Sequence, residues 1–222
     1  MAKIEKNLEI IQHNIEQAKQ RVGAQQTVNI IAVTKQVDVD RTAEAIEAGL
    51  LHLGENRPEG LEVKLQSIQS NVSWHYIGSL QTRKVKQIID EIDYLHSLDR
   101  LSLAEEIEKR ASKTVKCFVQ ANVSGEESKH GLTKEQTLEF VKQLGQFSKI
   151  EVIGLMTMAP FTEDVTTIRQ VFKELKQLQQ EVSQLNIPNV PCTELSMGMS
   201  NDYEIAVEEG ATFVRIGTAL VG

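Results

Sequence analysis

Asn29-Ile30-Ile31-Ala32-Val33-Thr34-Lys35 is a short, largely β-branched apolar run that stops on a cation. Its length and composition describe a strand buried on both faces, as in a parallel sheet covered by helices. Lys35 at the C-terminal tip then admits two readings. Its stem can lie along apolar surface while the ammonium reaches water. Alternatively, the amine is desolvated enough to lose its proton and attack a carbonyl, forming a Schiff base. The rest of the chain has to decide between them.

Outward from this strand, helices and strands alternate. Upstream, Ile4, Leu8, Ile11, Ile15, Ala18 and Val22 recur at steps of four and three, which puts one apolar stripe on a helix from Met1 to near Gly23. Downstream the pattern predicts a helix from Asp38 to Gly49, a strand Leu51–Gly54, and a helix after Arg57-Pro58, with proline in its favoured first turn. Strand Trp74–Ile77, a helix near 82–91, strand Tyr94–Ser97, a helix near 101–112 and strand Val115–Val123 follow. A loop from Ser124 to Gly131 leads to a helix Thr133–Leu144, strand Val152–Met156, a long helix carrying Val165 to Val182, strand Thr193–Leu195, a helix near 202–209 and strand Thr212–Ile216.

Eight strands alternating with helices in 222 residues predict a single (β/α)8 TIM-type barrel domain over residues 1–222, ahead of an open doubly wound sheet. The sequence stops at Gly222, too soon after the last strand for an eighth following helix, so the N-terminal helix is expected to cover that flank. No linker, low-complexity tract or short-period repeat divides the chain.

At 41% hydrophobic and 25% charged, the composition suits one α/β core that buries about 70% of the unfolded surface. The net charge of −7, with no basic block, argues against nucleic acid and anionic membranes as partners. Cys117 and Cys192 lie in apolar stretches without metal-ligand spacing and read as reduced structural thiols. The N-terminus is a charged amphipathic helix rather than a signal peptide, and no apolar run reaches membrane-spanning length, so a cytoplasmic protein is expected. His52 and Glu55 fall on opposite strand faces and the five histidines are scattered, so no metal is expected. There is no Gly-x-Ser-x-Gly elbow, and Met156, Met158, Met197 and Met199 read as apolar packing at strand ends.

The barrel gives Lys35 a context. Active sites of this fold sit at the C-terminal strand ends, and phosphate sites form from the loops after strands seven and eight. Here those segments are Leu195-Ser196-Met197-Gly198-Met199-Ser200-Asn201-Asp202 and Arg215-Ile216-Gly217-Thr218-Ala219-Leu220, with the small and hydroxyl residues, Ser200 and Gly217-Thr218 among them, that let backbone N–H groups approach phosphate oxygens. Strand alternation places Arg215 with Phe213 and Gly217, on the face expected to point into the barrel. An inward arginine could equally pair with a carboxylate such as Glu55 or Glu194. A lysine, a phosphate cradle and an arginine together meet the needs of pyridoxal phosphate: an amine for the aldehyde, donors for the phosphate and a partner for the ring nitrogen.

The stretches Ala32–Lys35, Gly54-Glu55-Asn56, Trp74–Gln81, Asn122–Lys129, Gly154-Leu155-Met156, Ser196–Ser200 and Val214–Ala219 resemble, in order and near-family spacing, the pyridoxal phosphate homeostasis protein family. The resemblance runs from the first strand to the last. It implies a barrel like the N-terminal domain of alanine racemase, with pyridoxal 5'-phosphate covalent on Lys35 as a Schiff base and Arg215 beside the pyridine nitrogen. Ser200, Gly217 and Thr218 would hold the phosphate, Asn56 and Met199 would line the cofactor, and His75 with Ser79 would sit at the mouth of the third strand. Arg83 and Arg57-Pro58 depart from the family pattern at the rim.

The function expected from this resemblance is intracellular pyridoxal phosphate homeostasis and delivery by a monomer, with pyridoxal-phosphate-dependent apoenzymes as partners and no established catalysis. A pyridoxal-phosphate-dependent amino-acid racemase and a cofactor-free Schiff-base aldolase are the alternatives. Racemisation needs a second acid–base group opposite the lysine. In racemases it comes from a further domain that this sequence, ending at Gly222, is not expected to carry, and nothing places Tyr76, Tyr94 or Tyr203 there.

Overall fold

The computed structural model describes residues 3–125 and 130–222; residues 126–129, the end of the motif that begins at Asn122, lie outside the described residues. Eight strands are described: β1 (Asn29–Val33), β2 (His52–Glu55), β3 (Ser73–Tyr76), β4 (Tyr94–Leu98), β5 (Val115–Gln120), β6 (Ile150–Met156), β7 (Glu194–Met199) and β8 (Phe213–Ile216). The helices are α1 (Lys3–Val22), α2 (Val39–Glu47), α3 (Pro58–Ser67), α4 (Val85–Ile88), α5 (Leu101–Arg110), α6 (Lys134–Leu144), α7 (Val165–Gln184), α8 (Tyr203–Glu208) and α9 (Thr218–Val221). The strands pair in parallel and in chain order into a closed barrel, β8 returning to β1 through the Asn29–Phe213 and Ile31–Arg215 pairs.

Closure separates two apolar regions. The larger lies between strands and helices; a small interior cluster of Ile31, Phe118, Ile153, Met156 and Phe213 fills part of the barrel itself. The helix boundaries follow local chemistry. Thr133 caps α6, its hydroxyl accepting from Gln136 N while the Gln136 side chain accepts from Thr133 N. Pro58 occupies the first turn of α3.

Four sequence expectations are corrected. The flank after β8 does carry a helix, the single turn α9, too short for periodicity to reveal. α1 nevertheless covers that side, held by Asn7 to the Leu220 carbonyl (3.0 Å), Asn14 to the Tyr203 hydroxyl (2.9 Å), and Arg21 paired with Glu204 and Glu208. The helix near 82–91 begins as a 3₁₀ turn and yields only α4, and β5 stops at Gln120, with Ala121 making an isolated bridge to Leu132. β7 runs on to Met199, through residues that read as loop. Gly198 adopts φ 94°, and the β7–β8 register shifts between Ser196 and Met199, a β-bulge that admits glycine inside a strand.

Candidate functional site

Strand parity decides which side chains reach the mouth. On β1, Ile31 lies in the barrel interior, so Val33 and then Lys35 follow on the inward row; on β2 the row is His52, Gly54, Asn56, and on β8 it is Phe213, Arg215, Gly217. These rows open into a cavity of about 1080 Å³ at the C-terminal end, lined by Lys35, Asn56, Met199, Ser200, Arg215, Gly217 and Thr218, which the sequence had singled out. Its wall also includes Ile77, Gly78, Phe161 and Asp202, none named beforehand as a cofactor contact, and Met158, which had read as apolar packing.

Lys35 is exposed and, among the described residues, makes no hydrogen bond or ion pair. Of the two readings the sequence left open, packing gives the solvent-reaching one, with the side chain on the cavity wall. The residue before it is held firmly. Thr34 points to the helix side, its hydroxyl donating to Glu55 Oε1 (2.6 Å), while buried Lys64 from α3 donates to the Thr34 carbonyl (2.5 Å) and pairs with Glu55. A strand tip held by buried hydrogen bonds thus carries an exposed amine. Beside it, Gly78 packs against Asn56 so closely that an added Cβ would come within 2.3 Å of the Asn56 carbonyl oxygen.

The register shift at Gly198 lies one residue before β7 ends. Ser200 follows it, and its hydroxyl faces the Ala219 N–H at 3.5 Å. Asp202 accepts from Met199 N (2.6 Å), and burial pushes its carboxyl above the usual range. At Gly217 an added Cβ would sit against Val33, itself part of the cavity wall.

Arg215 is buried, which lowers its guanidinium pKa to about 10, the Asp202 charge opposing the fall; it stays charged at neutral pH. It does not pair with Glu55 or Glu194, the alternative left open by the sequence. Glu55 is engaged by Thr34 and Lys64, and Glu194 by Thr193. Instead Arg215 donates to Ser196 Oγ (2.6 Å) and to the Thr157 carbonyl (3.0 Å).

Two expected site residues are not at the mouth. Ser79 is exposed in the loop after β3 and is not part of the cavity wall. His75 is completely buried; on its inward row Ile77 takes the position at the mouth, leaving the histidine one step below. There it contacts His52 Nδ1 through Nε2 (2.9 Å) and His96 Nε2 through Nδ1 (2.8 Å), and His96 Nδ1 contacts Ser196 Oγ (2.8 Å). Three histidines distant in sequence are thereby gathered inside the barrel; the signal was their shared inward parity on β2, β3 and β4. Among the described residues, no group of three potential metal ligands converges on one point. Arg57 and Arg83 are exposed and outside the cavity wall.

The family model for the alanine racemase N-terminal domain matches residues 7–222. A pyridoxal phosphate homeostasis protein from Aquifex aeolicus is 38% identical over 213 residues, covering 94% of this chain and 92% of that protein. Among solved structures, an unknown protein from Bifidobacterium adolescentis superposes with a TM-score of 0.92 at 32% identity, covering 98% of this chain and 94% of the other. PipY of Synechococcus elongatus, solved with PLP bound, does so with a TM-score of 0.83 at 31% identity, covering 94% of this chain and all of that one. With a closed barrel, a cavity at its C-terminal mouth and relatives matched over nearly their whole length, this chain belongs to the pyridoxal phosphate homeostasis protein family, on the alanine racemase N-terminal-domain fold.

Proposed function

We propose that this chain binds pyridoxal 5'-phosphate covalently at Lys35 and serves its intracellular homeostasis as a binding protein rather than a catalyst. The observation that carries this reading is one cavity bringing together a free amine, a buried guanidinium and a hydroxyl–glycine pair of loops. The PLP-bound PipY structure supports it from a relative matched over its whole length.

The donor set fits the group. Lys35 supplies an unencumbered nitrogen for an aldehyde. Ser200, Thr218 and the backbone at Gly217 offer donors and close approach for a phosphate, whose charge strengthens each hydrogen bond. Arg215, which only donates, suits an unprotonated ring nitrogen. When bound, the cofactor supplies an electron sink for amino-acid chemistry; a fixed positive charge at the ring nitrogen disfavours its protonation and weakens that sink.

The tyrosines support the same reading. Tyr76 packs in the large core between strands and helices, Tyr94 stacks on His75 below the cavity, and the Tyr203 hydroxyl accepts from Asn14 of α1. None lines the cavity to serve as a second acid–base group opposite Lys35. We assign the whole chain to one domain acting as a monomer in the cytoplasm and passing the cofactor to dependent apoenzymes. Among the described residues, no helix is long and apolar enough to cross a membrane.

The test is borohydride reduction of the loaded protein followed by peptide mass mapping. A pyridoxyl group on Lys35 is the expected product; modification confined to another lysine overturns the assignment. Incubating the loaded protein with L-amino acids in deuterated water should leave the α-proton in place, and rapid exchange with inversion would reassign the chain as an enzyme.

A further inference from the structure

Nothing in the proposed binding function accounts for the histidines inside the barrel. His52, His75, His96, Ser196 and Arg215 form one unbroken line, with successive contacts of 2.9, 2.8, 2.8 and 2.6 Å, from the N-terminal floor to the cavity. His75, His96, Ser196 and Arg215 are buried; His52 is half-buried and lines a cleft between α1 and the starts of β1 and β2.

The direction of the line follows from donor and acceptor capacity. Arginine only donates, so Ser196 Oγ accepts from Arg215. The serine hydrogen then has His96 Nδ1 as its acceptor. A neutral His96 accepting at Nδ1 carries its proton on Nε2 and donates to His75 Nδ1. By the same step His75 Nε2–H donates to His52 Nδ1, leaving the His52 Nε2–H at the floor. The reverse arrangement, with every imidazole proton on Nδ1, leaves the buried serine hydrogen without an acceptor, at the cost of an unsatisfied buried donor. Burial holds His75 and His96 neutral, their pKa values well below the ordinary imidazole range.

We propose that His52, His75, His96 and Ser196 are positioning residues: a single hydrogen-bonded line, directed from Arg215 to the barrel floor, that fixes the guanidinium at the ring-nitrogen edge of the cofactor site. The ring-nitrogen part rests on the pyridoxal phosphate reading above; the line itself does not. It also gives the cavity a sensor on the opposite face. Protonating His52 puts a hydrogen on Nδ1, against the His75 N–H, and breaks the line at its floor end. The groups that decide this protonation are His75, Tyr94 and Phe213 inside the barrel, Asp93 before β4, Lys116 over the Tyr94 ring, and Glu16 of α1 across the cleft.

The first arm uses protein without cofactor. Long-range proton–nitrogen correlation of the histidine rings should show all three neutral, with the proton on Nε2; a proton on Nδ1 of His75 or His96 overturns the directed line. His52→Leu should then change the ring-nitrogen shifts of His96 and speed exchange of the Arg215 guanidinium protons. His52→Asn, which keeps an acceptor near the Nδ1 position, should restore both; no change in His52→Leu overturns the coupling.

The second arm adds pyridoxal phosphate. His52→Leu should shift the visible band and weaken binding roughly three- to tenfold, the worth of about one buried hydrogen bond, while borohydride still marks Lys35. An unchanged band and affinity overturn the link to the cofactor edge. If unmutated protein takes up no cofactor, the binding reading fails and the first arm still decides the line. Ser196→Ala cuts the line at its other end and is read in the same way should His52→Leu not fold.

Discussion

Lys35 and Arg215 share the cavity but not their environment, and mutations at them should behave differently. Lys35 is exposed and, among the described residues, without a partner, so Lys35→Ala should abolish covalent uptake while leaving the thermal unfolding midpoint within error. Arg215 is buried with two hydrogen bonds, so its truncation should cost both binding and fold by leaving Ser196 and the Thr157 carbonyl without their donor. At the phosphate end, Ser200→Ala removes one hydroxyl, and charge-assisted hydrogen bonds contribute roughly 1.5–3 kcal/mol each. Gly217→Val places a branched side chain against Val33 inside the cavity, so it should weaken pyridoxal phosphate binding more than Ser200→Ala in a titration. The reverse order would move the phosphate away from this loop.

At the scale of elements, the tip of β1 is tied to α3 through Thr34, Glu55 and Lys64, and the tie is ionic and buried. Breaking such a pair from one side strands a charge and typically costs about 3–5 kcal/mol, whereas replacing both partners with apolar residues is often neutral. Glu55→Leu alone should therefore lower the urea midpoint sharply, and Glu55→Leu with Lys64→Met should recover much of it; additive losses would show that the charges themselves hold the strand tip. This pair marks a limit of reading the sequence. The alternation of strands and helices was legible because apolar periodicity differs between them, and the order of strands followed from the barrel. Lys35, Arg215 and Gly217 could be placed at the mouth because strand ends and inward rows are local properties, whereas Asn56 came from the family resemblance alone. Glu55 stayed open, with Glu194, as an alternative partner for Arg215, since nothing local says that the Lys64 ammonium, nine positions along, folds back under its own strand. His75 was placed one layer too high because the level at which a strand enters the mouth depends on register between strands. α9 and the extension of β7 were missed for a third reason: a single turn has no period, and a glycine bulge imitates a loop.

Over the whole molecule, the same histidine line that crosses the barrel sets an acid limit on stability. His75 and His96 are held neutral well below the ordinary imidazole pKa of 6.5, chiefly by desolvation, with His52 and His96 adding to the effect on His75, and Arg215 to that on His96. His52 is lowered as well, by desolvation against the opposing charge of Asp93. In the unfolded chain each imidazole takes up a proton as the pH falls through 6.5, while the folded protein does not. The unfolded state then binds more protons, so stability is full above this value and declines as the pH falls toward the folded-state pKa values, by up to about 1.4 kcal/mol per pH unit for each proton taken up on unfolding. The carboxylates act in a separate window. Glu108 and Glu208 are held below their ordinary pKa of 4.5 by hydrogen bonds from Ser148 and from Arg169 and Arg21, against the desolvation of burial, and their contribution disappears only at more acid pH. Urea unfolding across a pH series should therefore show stability falling first just below 6.5, before the carboxylate range is reached. His75→Gln, which keeps a polar side chain but cannot titrate, should be less stable than the unmutated protein at pH 8 yet show a shallower slope below 6.5. A flat profile between 6.5 and about 5 would mean that the barrel accepts protons inside, and that the imidazoles are not locked neutral.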